Sequence, residues 1–391
     1  MIPGFRSRFK NSLPFGCCLI LLFLAACARP PAPPDIKKPV ESLQAVSWQE
    51  VPGWQQEELR PALETFIVSC PSLKRQPQWK NVCIEAAQVD IADEGAVRSF
   101  FESRFIPHRV QNSDGSTRGL ITGYYVPDLQ GRRTPDENYR YPILSVPDDL
   151  LVIDLGALYP DLKGRRLRGR LEGRRVVPYW SRTEIDSGQA AVAGKELFWV
   201  KDPVELFFLH IQGSGRISLD NGERVMVNYA DQNGHPYRSI GKLLIESGAM
   251  SRHQMSLQNI KAWGQRNPDK LFQLLGENPS YVFFGSAEQD LPSPPGALGY
   301  PLTSKRSLAV DPSIIPLGAP VFIATTWPNS SKPLQQLMVA QDTGGAIKGA
   351  VRADFFWGLG QEAGAMAGRM KQDGWLWVLL PGNGSDQVFE Q

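Results

Sequence analysis

Apolar and polar positions change their period several times along this chain. Near the start of the foldable part, Leu59, Leu63 and Phe66, and then Val97, Phe100 and Phe101, recur at helical spacing, which predicts helices over 55–68 and 95–105. From 119 the apolar runs shorten. Residues 119–126 read as a strand that ends in a turn of glycine, two tyrosines and a proline. Between Pro142 and Tyr281 many short strands are predicted, among them 206–215, 217–219 and 224–229, the last two joined across an Asp220-Asn221-Gly222 hairpin turn. Helical spacing returns at 243–248 and 257–267. Strands follow at 278–284 and 337–340, with the stretches 307–312 and 315–323 leading from one to the other, then a small-residue helix at 362–371 and a closing strand at 375–380. The pattern predicts a mainly β protein with some helices, built from two β units, either barrels or sandwiches.

Composition sharpens this. The 36 glycines and 32 prolines among 391 residues suit short strands and many turns, and 42% apolar with 21% charged residues describes a globular chain. Ahead of it, Arg6, Arg8 and Lys10 precede a short apolar run, 17–26, ending Leu24-Ala25-Ala26-Cys27. That run is too short to span a bilayer comfortably, and its end resembles the bacterial lipobox. Residues 1–26 are therefore expected to be a lipoprotein signal, Cys27 the lipidated residue, and 27–44, rich in proline, a flexible tether. Ala28 after the cysteine lacks the acidic character that favours inner-membrane retention, so the expected place is the periplasmic face of the outer membrane. Removing the signal changes 42 basic against 40 acidic residues to 39 against 40, and a near-neutral chain is no natural partner for nucleic acid. Cys70 and Cys83 remain after processing. In an oxidising compartment they are a candidate disulfide, or else two unrelated buried thiols. The four histidines are scattered and no cluster has metal-ligand spacing, so no metal is expected.

The chemistry concentrates near the C-terminus. A short strand is expected to deliver Asp342 into a loop opened by Gly344 and Gly345, and after the basic turn from Lys348 to Arg352 a second acid, Asp354, precedes Phe355, Phe356 and Trp357. Such aromatic surface desolvates a carboxyl and stacks on sugars, so one acid held protonated in a carbohydrate groove is expected. Either aspartate alone reads equally as a turn or helix cap. Tyr124 and Tyr125 read two ways, as barrel-rim packing or as a sugar platform.

Together these segments resemble the membrane-bound lytic murein transglycosylase A family, with its three-aspartate, double-psi β-barrel domain. The resemblance rests on Asp311 in Leu-Ala-Val-Asp-Pro, Asp342 in Gln-Asp-Thr-Gly-Gly-Ala-Ile-Lys-Gly, Asp354 in Ala-Asp-Phe-Phe-Trp-Gly, and on Thr122-Gly123-Tyr124-Tyr125, the stretch 207–215 and the stretch 233–241. It spans nearly the whole mature chain. It implies a double-psi barrel formed by 45–125 and 284–391, a second β-barrel inserted as 126–283, and a glycan groove between them. It also implies Asp354 as the catalytic acid and base, with Asp342, Asp311, Lys348, Thr122, Tyr124, Tyr125, Gln212 and Ser214 shaping the site or binding substrate. Val126 stands where family members often carry an acid. The implied activity is that of a peptidoglycan lytic exotransglycosylase needing no cofactor. Its partners would be glycan strands, the membrane through Cys27, and other cell-wall enzymes. Two rivals remain: a noncatalytic wall-binding lipoprotein, and an aspartic protease, which Asp342-Thr343-Gly344 suggests but which needs a second such triplet.

Overall fold

The structure is a computed structural model, and it describes residues 42–287 and 291–382. Cys27, the signal segment and most of the expected tether lie outside those residues. The tether also ends earlier than expected, since Leu43–Ala45 is already a strand, paired with Phe105–Val110.

Six strands close into a barrel: Gly119–Val126, Ser307–Val310, Pro320–Thr326, Pro333–Thr343, Arg352–Leu359 and Lys371–Pro381. Closure comes from the last strand, which pairs with Pro320–Thr326 and, through Lys371 to Gly374, with Gly119–Val126. Two of the pairings are parallel, Ser307–Val310 with Pro333–Thr343 and Arg352–Leu359 with Gly119–Val126. This is the double-psi arrangement that the family resemblance implies. Inside lie Ile121, Ala353, Phe355 and Trp357, and on the barrel pack three helices, Arg60–Leu73, Pro77–Ala86 and Glu94–Arg104. The third helix starts where Asp93 accepts from the N–H groups of Gly95 and Ala96, satisfying donors that have no intrahelical partner. The first two helices are joined by a Cys70–Cys83 disulfide, with Cα atoms 5.4 Å apart.

Between the first and second barrel strands the chain builds a six-stranded sheet, in the order Val282–Ala287, Arg224–Gln232, Ser214–Leu219, Asp128–Arg132, Glu196–Val200, Tyr141–Leu144. A separate three-stranded sheet, Leu151–Ile153, Leu167–Glu172 and Arg175–Pro178, branches from this region. One expected strand is a helix. Residues 206–215 fall mostly in Pro203–Gln212, which Asp202 caps by accepting from Val204 and Glu205 N–H and which Gly213 ends at φ 76°. Its apolar run is continuous because several faces are buried. Run length alone reads as a strand, whereas the Asp-Pro start and glycine stop are helix signals.

Candidate active site

Strand alternation sorts the segment around the two acids into two faces. Gln341 points inward, buried, where it accepts from Ser307 Oγ and donates to Ser69 Oγ at 2.9 Å. This network pins the strand to the first helix and turns Asp342 outward. On Arg352–Leu359, two strands away across Ser307–Val310, Ala353, Phe355 and Trp357 enter the core, so Asp354 and Phe356 face out. On Gly119–Val126 the inward positions are Ile121, Gly123 and Tyr125, and the outward ones Thr122, Tyr124 and Val126. Gly123 admits no side chain, because a Cβ there would stand 2.6 Å from Trp357 Nε1 and 3.0 Å from Ala367 Cα.

The register places the outward residues in one row. Ala309 lies opposite both Asp342 and Asp354, and Asp354 lies opposite Thr122. Thr122 Oγ1 donates to Asp354 Oδ1 at 2.6 Å, the one hydrogen bond Asp354 receives from the described residues. Burial pushes the Asp354 carboxyl up, against the pull of the Thr122 hydrogen bond and the positive charge of Arg352. Burial likewise pushes Asp342 up to about 6, against the pull of the nearby Thr343 N–H and Tyr124 hydroxyl and of the hydrogen bond from Ala297 N–H at 3.2 Å, while the charge of Asp354 adds to the rise. The Tyr124 hydroxyl is buried without a well-formed hydrogen bond among the described residues, close enough that Asp342 and Asp354 both act on it.

Two corrections follow. Asp342 is not delivered into a loop but lies within Pro333–Thr343, ahead of the glycine turn. Phe355, Phe356 and Trp357 offer no sugar-stacking surface, since all three are buried. The two tyrosines part company. Tyr125 belongs to the barrel core, and Tyr124 stands beside the acids with its ring 5.0 Å from that of Phe356. Asp311 is not in the acidic row. It accepts from Ser313 N–H, Ser313 Oγ and Gly349 N–H, and although burial pushes its carboxyl up, those bonds carry it below the usual carboxylate range. Asp311 thereby ties down the turn before Asp354, with an exposed Lys348 ammonium 4.0 Å away.

The second β unit meets the barrel beside the acids. Met226 packs with Phe356, Val126 and Leu302, and Gln212 Oε1 accepts from Tyr125 N–H at 3.2 Å. Val126 is thus an apolar contact between the two units. Ser214 is half-buried opposite Asn228, the two sharing the sheet face of Met226. Sequence reasoning missed the Ala297 N–H. Its signal is Gly296, where a Cβ would lie 2.5 Å from Gln341 O, so only glycine brings that loop to Asp342.

Comparison with known proteins gives this arrangement a family. Residues 120–285 match the MltA specific insert domain, and 306–380 match the 3D domain. The membrane-bound lytic murein transglycosylase A of Escherichia coli strain K12 is 34% identical over 289 residues, which are 72% of this chain and 71% of that protein. Among solved structures, MltA from Neisseria gonorrhoeae in its monoclinic form is 41% identical with a TM-score of 0.76, covering 87% of this chain and 92% of that one. E. coli MltA with bound chitohexaose is 28% identical with a TM-score of 0.64, covering 89% and 94%. The chain belongs to the membrane-bound lytic murein transglycosylase A family.

Proposed function

We propose that the chain is a lytic transglycosylase that cleaves the β-1,4 bond between N-acetylmuramic acid and N-acetylglucosamine in peptidoglycan, with Asp354 as its only proton carrier. The observation that carries this is the unequal engagement of the two acids. Asp342 accepts from Ala297 N–H and has the Thr343 N–H and the Tyr124 hydroxyl beside it, whereas Asp354 accepts from Thr122 alone and keeps its second oxygen free among the described residues. That oxygen donates a proton to the glycosidic oxygen as positive charge develops at C1. The resulting carboxylate then takes the proton of the muramyl 6-hydroxyl, whose oxygen bonds to C1 and closes a 1,6-anhydro ring. The proton returns to Asp354 and no water is consumed. Asp342, ionised, faces the positive charge of the transition state.

The row also favours a second reading. Asp342 and Asp354 stand on two strands separated by the strand of Ala309, each opposite that residue. Two carboxyls held apart across a groove are also what an inverting hydrolase uses to hold a water between them. Digestion of purified wall separates the readings: 1,6-anhydromuramyl ends that resist borohydride support the transglycosylase, and reducible ends support the hydrolase. Intact bound glycan would return the chain to the wall-binding class.

The proposal extends to organisation and place. We assign 45–125 and 284–391 to the barrel domain and 126–283 to the insert, with the groove running between them past the acidic row. The lipobox-like segment supports processing at Cys27 and anchoring at the periplasmic face of the outer membrane, with other cell-wall enzymes as neighbours.

A further inference from the structure

The three-stranded sheet is turned inside out. Its pairing register puts Leu151, Ile153, Leu167, Leu171, Val176 and Pro178 on one face, and Val152, Arg168, Arg170, Glu172, Arg175 and Val177 on the other. The charged face engages the protein through Arg168 and Arg170, while Val152 at its edge is 65% exposed. Arg168 Nε donates to Asp231 at 2.9 Å, and the Arg170 guanidinium lies 3.7 Å from the centre of the Trp180 ring. The aliphatic face belongs to none of the molecule's apolar clusters, and Leu171 and Val176 are 61% and 53% exposed. The turn that follows Leu151–Ile153 adds Leu158 and Tyr159, 71% and 51% exposed. An ordinary half-solvated sheet does the reverse, and a contiguous exposed aliphatic face marks an interaction surface.

Charge identifies the occupant. Residues 151–178 carry seven cations against three acids. Five of the seven, Lys163, Arg165, Arg166, Arg174 and Arg175, are exposed at the two ends of the central strand and form no ion pair among the described residues. We propose that this sheet is a membrane contact separate from any lipid at Cys27, laying its aliphatic face on a bilayer surface while the rim cations bind anionic phospholipid headgroups. A second copy of the chain fits poorly, because a two-fold contact would bring the two cationic rims together. A glycan fits poorly as well, because sugars stack on aromatic rings and this face is aliphatic. The sheet also abuts the turn after Asp342. Arg166 Nη1 would lie 3.4 Å from a Cβ at Gly345, so docking fixes how the acidic row is presented to the bilayer.

The test uses the chain from residue 27 onward with Cys27→Ser, which retains the compact unit Val40–Gln391 and carries no lipid. Co-sedimentation is measured with vesicles of phosphatidylcholine alone and with added phosphatidylglycerol. Binding should require phosphatidylglycerol and weaken with salt. It should fall about fivefold per cation removed in Arg174→Gln and Arg175→Gln, and drop to background in Leu171→Asp with Val176→Asp. Melting temperature and cleavage of soluble glycan should stay unchanged in these variants. Equal sedimentation with both vesicle types, or binding that survives the aspartate pair, would overturn the proposal. So would a concentration-dependent dimer that the aspartate pair abolishes, which would assign the face to a second copy.

Discussion

Asp342→Asn should stabilise the fold at neutral pH, and the gain should appear only as pH rises. Burial holds the Asp342 carboxyl at about 6, against an ordinary 3.8. Below 3.8 both folded and unfolded chains carry the proton, and the site has no effect on stability. As pH climbs, the unfolded chain releases its proton first, which favours unfolding. Above about 6 both states are ionised, and the fold bears a penalty of about 3 kcal/mol. Asparagine keeps the shape and can still accept from Ala297 N–H, so most of that penalty is relieved. For a domain of this size the melting temperature should rise by about 2 to 4 °C at pH 7 and change little at pH 4. Calorimetric scans of wild type and variant across that range measure the difference directly. A difference that does not change with pH, or a variant less stable than wild type at pH 7, would refute the electrostatic account of Asp342.

Asp354→Asn should still bind glycan while losing on the order of 10²-fold or more in cleavage rate, read by pairing a binding isotherm with turnover of wall fragments. Thr122→Val removes the hydrogen bond that pulls the Asp354 carboxyl down. Asp354 should then hold its proton to higher pH, so the alkaline limb of the kcat/KM profile should move up in pH while the plateau rate falls; an unmoved limb would mean that Thr122 only packs. Replacing Cys70 and Cys83 together by serine opens a short loop between two helices that brace the barrel. It should cost about 3 kcal/mol, lowering the melting temperature by roughly 4 °C with the pH profile unchanged.

Much of the fold was legible because its signals are local. Residues 119–126 are a strand as expected, although the glycine and two tyrosines expected in its closing turn lie inside it, and the helices near 60 and 95 follow their apolar spacing. Residues 206–215 misled because a run buried on several faces loses its period, although Asp202-Pro203 and Gly213 marked a helix. The acids were legible as a pair, but the partition of their neighbours was not. Whether Phe355 or Phe356 faces a groove depends on closing a barrel from strands more than two hundred residues apart in sequence. The same holds for Asp311, whose bond to Gly349 N–H exists only once two segments meet. The sheet at 151–178 was not legible either, because only its pairing register shows that Arg168 and Arg170 share a face directed at the protein.

The central claim is that the muramyl 6-hydroxyl, not water, takes the place of the leaving sugar. Digestion of purified wall in heavy-oxygen water, followed by mass spectrometry of the released muropeptides, tests it most directly. The account predicts muramyl ends that carry no heavy oxygen and are lighter by one water than hydrolytic products. Incorporation of one heavy oxygen at C1 would contradict it, because a second carboxylate, with Asp342 the nearest candidate, would then be activating water.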